Sequence, residues 1–138
     1  MSTLTRRQVI QRYFDGLFNE GRLELVNELL HPEYTNHSPG WPGLPTGREG
    51  VAIVVQTMRA AFPDLRYFIE EVIEQPDAVA VRTRVRGTHR GEFLSHAGTG
   101  RRFDVPQITI ERFRDGRIIA HHRVTDELGL QRQLGFLD

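Results

Sequence analysis

The 138-residue chain predicts an α+β domain, with N-terminal helices packed on a curved antiparallel sheet that encloses a pocket. Two observations predict it. Apolar residues recur at helical spacing up to Phe62, and from Leu65 onward the period falls to two. The Gly- and Pro-rich stretches between periodic segments are too short for an interdomain linker, so residues 1–138 read as one domain with one core.

The elements follow in order. Thr5 and Gln8 have capping-box spacing, and Val9, Ile10, Tyr13, Phe14, Leu17 and Phe18 then line one helical face. Asn19-Glu20-Gly21 ends that helix. A short second helix turns Leu23, Val26, Leu29 and Leu30 inward and stops before His31-Pro32. The stretch YTNHSPGWPGLPTG reads as a loop, with Trp41 unusual in a solvated turn. Arg48 to about Phe62 is a third helix, closed by Pro63-Asp64. Strands follow over Arg66 to Glu74 and Ala78 to Arg86, the second alternating valine or threonine against Arg82, Arg84 and Arg86. A Gly-rich connection leads to a strand from Phe103 to Phe113. Arg114-Asp115-Gly116 then turns into a last strand, Arg117 to Val124, and Glu127 to Leu134 closes the chain as a helix.

Composition excludes several classes. Lys+Arg equals Asp+Glu at 18 each, which points to no nucleic-acid partner. With no cysteine, disulfides, thiol nucleophiles and Cys-bound metals drop out. No apolar run approaches the roughly 18 residues of a membrane span, and MSTLTRRQVIQRYF has no signal-peptide core. A cytoplasmic enzyme or binding domain is the expectation. No H-x-x-x-H or similar spacing suggests a metal, and no phosphate-binding glycine loop or nucleophile elbow is present.

Strand parity selects candidate pocket residues. Val79, Val81, Thr83 and Val85 face inward, carrying Gly87 and His89 to the same side. On the last strand Ile118, Ala120, His122, Val124 and Asp126 share the face chosen as the wall. His122 and Asp126 are then about 13 Å apart if the strand stays extended. His121, Arg123 and Thr125 take the other face. Asp126 has two readings, an N-cap for the last helix or a general base, and Thr125 is a substitute cap that would free it. His31 reads as structural, while His37 and His89 sit at a loop mouth and on the inner face.

Several stretches in one order carry a resemblance: YTNHSPGWPG, AFPDL, GTHRGEF, TGRRF, DGRI and HHRVTDELGLQRQLG, spanning Tyr34 to Gly135. Together they resemble the SnoaL-like polyketide cyclases, or ester cyclases, of the nuclear transport factor 2-like superfamily. The resemblance implies a cone-shaped α+β fold and cofactor-free, metal-free closure of a ring by intramolecular aldol condensation. It also implies a small hydrophobic substrate and a homodimer or higher oligomer. An aspartate at the end of the last strand is the family's base and matches Asp126, with His122 beside it as the second catalytic candidate. Asn36, His37, Trp41, His89, Phe93 and Gln107 are the substrate-binding candidates. Many members have Trp where this chain has His122. The well-studied cyclases also carry a histidine on the preceding strand, where this chain offers Gln107, Thr109 and Glu111. Two alternatives stay open: an isomerase or hydrolase using His122 with Asp126, and a non-catalytic binding protein.

Overall fold

The structure, a computed structural model, describes residues 4–137. Helix α1 (Arg6–Arg12) starts at the expected capping box: Gln8 N donates to Thr5 Oγ1 and Thr5 N to Gln8 Oε1. The helix widens into a π-helical segment, Tyr13–Phe18, that buries Tyr13, Phe14, Leu17 and Phe18. Such widened turns re-aim side chains and recur at functional sites. Helix α2 (Leu25–Leu29) follows, then strand β1 (Leu30–Asn36), helix α3 (Arg48–Ala61) and strands β2 (Arg66–Gln75) and β3 (Ala78–Thr88). Strands β4 (Arg102–Arg114) and β5 (Arg117–Thr125) and helix α4 (Glu127–Gln133) complete the chain.

The sheet order is β1-β5-β4-β3-β2. The last four strands form the expected antiparallel meander, while β1 lies parallel to β5 at the edge. The sheet is therefore mixed, and β1 corrects the loop read from its sequence. Its signal was hidden by Pro32, which gives no amide hydrogen and is tolerated because β1 is an edge strand. The apolar faces of α1, α2 and α3 bury against the inner face of the sheet as one core.

Strand β5 carries the feature that decides the site. Arg112 pairs with Ala120, but the next residue of β4, Phe113, pairs with Ile118, so Ile119 is an extra residue. This β-bulge reverses the facing of every side chain that follows it. Ile118 points inward as expected, and beyond the bulge His121, Arg123 and Thr125 line the interior. His122 and Val124 face out, Val124 with 76% of its surface exposed. The expected facing of β5 is thus reversed over its C-terminal half.

On the outer face Arg82 pairs with Glu70 and Glu71, and Arg84 and Arg86 both pair with Asp104. These arginines solvate the sheet as their alternation suggested. Gly135, at φ +80°, ends α4 in a left-handed turn open to glycine at little cost.

Candidate active site

The helices and the sheet enclose a cavity of about 120 Å³, open on one side. Its two walls differ in chemistry. Tyr13, Phe14 and Phe18 from the π-helical segment, with Tyr67 from β2, make an aromatic wall whose rings pack 5.0 to 6.4 Å apart. Val51, Val54 and Met58 of α3 extend it, and Gly40, Trp41 and Phe93 come from the two long loops. The opposite wall is polar and comes from neighbouring strands. Cross-strand pairs Glu111–His121, Thr109–Arg123 and Gln107–Thr125 succeed one another along β4 and β5, with Tyr34 and Asn36 beside them on β1.

The first pair has the geometry of an oriented base. Both Glu111 carboxylate oxygens accept from His121 Nδ1, at 2.9 and 2.8 Å. Glu111 is 0% exposed and its carboxylate has no other partner among the described residues. A carboxylate only accepts, so Nδ1 carries the hydrogen of this bond, and in the neutral ring the lone pair is on Nε2. His121 lines the cavity, and its Nε2 has no protein partner among the described residues. A histidine held at Nδ1 by a buried carboxylate, with Nε2 free in a cleft, is equipped to accept and return a proton.

The second and third pairs form a tether. Arg123 Nη1 donates to Thr125 Oγ1 at 2.8 Å, and that hydroxyl donates to Gln107 Oε1 at 2.8 Å. Arg123 Nη2 donates to the carbonyl of Ser38 at 2.6 Å, while Arg123 N donates to Ser38 Oγ at 2.9 Å. Glu127, at the rim, lies 3.6 Å from the same guanidinium. Arg123 thus holds the loop that carries Trp41 against the mouth of the cavity.

Three tyrosines around this wall stay protonated. Burial, then the charge of Glu111, raises the Tyr13 and Tyr34 phenols well above the ordinary tyrosine range, with Arg123 pulling the other way. Burial alone pushes Tyr67 up to about 12, again opposed by Arg123.

Of the residues expected from the sequence, Asn36, Trp41, Phe93 and Gln107 line the cavity. Asp126 does not. It is exposed, and its Oδ1 accepts from Gly129 N at 2.8 Å as the N-cap of α4. Its even-numbered parity fails at the Ile119 bulge, and the helix amide claims the carboxylate. His122 is also outside, its ring stacked on that of His37 with centroids 4.6 Å apart. It shares no hydrogen bond with Asp126 among the described residues, and His37 goes with it to the outer side. His89 is fully buried behind the cavity, its Nδ1 bonded to Thr99 and its ring against Phe62 and Phe136. Sequence reasoning missed His121, Glu111, Arg123, Thr125 and Tyr34 as site residues. One signal pointed to them: Glu111 shares parity with Phe103 and Val105, and a buried glutamate needs a partner. The apolar Ile108 and Ile110 on the other face obscured it.

No three His, Cys, Asp or Glu side chains converge as a metal site among the described residues. None of the described helices is long and apolar enough to cross a membrane.

Comparison with known proteins places this architecture. Residues 8–134 match the SnoaL-like polyketide cyclase family. The chain is 34% identical to the nogalonic acid methyl ester cyclase of Streptomyces nogalater over 119 residues, covering 86% of this chain and 89% of that protein. It is 32% identical to the aklanonic acid methyl ester cyclase DnrD of Streptomyces peucetius, covering 95% and 91%. Among solved structures, TsrD from Streptomyces laurentii superposes with a TM-score of 0.86 at 30% identity, covering 95% of each chain. IdmH from Streptomyces antibioticus gives 0.83 at 34%, covering 96% and 99%. With its helices on one face of a bulged five-stranded sheet and its family match running nearly end to end, the chain belongs to the SnoaL-like polyketide cyclases, on the nuclear transport factor 2-like fold.

Proposed function

We propose that the protein is a cyclase that closes a ring by intramolecular aldol condensation of an enolisable, aromatic polyketide methyl ester. The observation that carries this reading is the Glu111–His121 dyad, with His121 lining a cavity whose opposite wall is aromatic. His121 Nε2 removes a proton from a carbon flanked by carbonyls, and the C–H electron pair becomes an enolate. The enolate carbon attacks a ketone carbon of the same molecule, forming the C–C bond and leaving an alkoxide. The alkoxide takes the proton back from Nε2. Substrate and product are isomers, so the step calls for no oxidant, reductant or group donor. Glu111 stabilises the ring while it carries the proton, and the aromatic wall holds the reacting carbons together.

This reading replaces Asp126 by His121 as base, because Asp126 is exposed, is not part of the cavity lining and already accepts the Gly129 amide as a helix cap. The named activities of the curated relatives support the substrate class. Exposed Ile108, Ile110 and Val124 on the outer sheet face support a second copy packed there as a homodimer.

The test is incubation with aklanonic acid methyl ester, with chromatography and mass spectrometry to detect a cyclised product of unchanged mass. Wild type should form it and His121→Ala should not. Full turnover by His121→Ala together with none by Asp126→Asn would return the base to the aspartate.

A further inference from the structure

The polar wall contains two donors that have no acceptor among the described residues. Tyr34 is 3% exposed and Thr109 1% exposed, and neither hydroxyl has a hydrogen-bond partner among the described residues. Both residues line the cavity. Leaving a buried hydroxyl unpaired is costly, so folds seldom keep two in one site without a ligand to satisfy them. Strand order explains where they point. His121 lies on β5, Thr109 on the neighbouring β4 and Tyr34 on β1 at the other side, so the two residues enter the cavity from the strands on either side of the one that carries His121.

We infer that Tyr34 Oη and Thr109 Oγ1 form an oxyanion subsite, which takes the carbonyl oxygen of an enolisable ketone or ester as negative charge develops on it. The inference rests on the cyclase reading of the same cavity and adds to it the groups that receive the charge. A base beside an aromatic wall lowers the barrier little if the enolate oxygen meets only rings and the Glu111 carboxylate. Two preorganised donors remedy that, since they need no reorientation when the charge appears. The tyrosine suits the role because burial and Glu111 keep its phenol protonated across the physiological range, so it donates without being lost as an acid. Arg123, on the strand position paired with Thr109, adds positive charge on the same wall. The ionisable groups around the subsite are then Glu111, His121, Arg123, the phenols of Tyr13 and Tyr67 and, at the rim, Glu127.

The ligand chemistry is testable without turnover. 4-Nitrophenol serves as the probe, because its phenolate mimics an enolate and absorbs near the visible, and 4-nitrotoluene is the neutral shape control. Wild type should bind the phenolate more tightly than 4-nitrotoluene. Tyr34→Phe and Thr109→Val, which keep shape and remove one hydroxyl, should each lower that preference by at least about tenfold. Affinity for 4-nitrotoluene should stay near wild type, and the melting temperature should hold or rise, since an unpaired buried hydroxyl has been removed. An unchanged preference in both variants, or none in wild type, overturns the subsite whether or not the methyl ester is cyclised. The converse result, a normal preference in a protein that forms no cyclised product, would leave the subsite standing and refute the cyclase reading alone.

Discussion

Glu111→Gln isolates the charge in the dyad while leaving its shape. The side-chain oxygen can still accept from His121 Nδ1, so the ring keeps its orientation. What disappears is the negative charge facing the ring as it takes up the substrate proton. The carboxylate oxygens stand 2.8 and 2.9 Å from Nδ1, and both residues are buried. Taking the charge centres as about 4 Å apart and an effective dielectric of about 20, the lost attraction is ~4 kcal/mol. Expressed wholly in the transition state, that is roughly a thousandfold in rate, and partial proton transfer would reduce it toward a hundredfold. Single-turnover mixing with excess enzyme reads this step free of product release, with a melting curve confirming that the variant is folded. A folded Glu111→Gln protein that cyclises within about threefold of wild type refutes the argument, because the ring would then carry no charge when the proton moves.

Other residues separate structural from chemical roles. Asp126→Ala should remove a helix cap worth about 1 kcal/mol and lower the melting temperature by a few degrees, with turnover unchanged; lost turnover without lost stability would restore its chemical role. Arg123→Met removes the guanidinium bonds to Ser38 and Thr125, so the 37–47 loop should be cut faster by limited proteolysis and KM should rise more than kcat falls. Equal proteolysis rates would deny the tether. Asp64 accepts from Thr88 N and Thr88 Oγ1, both at 2.7 Å; burial opposes, but these bonds prevail and its carboxyl is held below the ordinary carboxylate value. A depressed folded value means the stabilisation is present at neutral pH and lost as pH falls through the acid range. Wild type should therefore melt above Asp64→Asn at pH 7, and the two should converge at strongly acidic pH.

Much of the fold was legible because its signals are local. The Thr5–Gln8 box, the 3.6-residue stripe of α3, the alternation of β3 and the Arg114-Asp115-Gly116 turn each depend on near neighbours. Strand β1 was not, since a short edge strand containing Pro32 has no strong pattern and exists by pairing with β5, more than eighty residues onward. The site divides in the same way. Asn36, Trp41, Phe93 and Gln107 were expected at the cavity and line it, whereas His122 and Asp126 exchanged places with His121 and Arg123. Ile119 caused that exchange, and IIAHHRV contains no glycine or proline to announce a bulge.

From sequence alone came the class of fold, the order of nearly all its elements and the family, because periodicity, caps and ordered motifs are written along the chain. Only tertiary structure decided which side chains meet the cavity. A strand alternates its faces with a period of two, so one unpaired residue inverts everything beyond it. That inversion turned Asp126 outward to a helix cap and brought His121 inward to the buried Glu111.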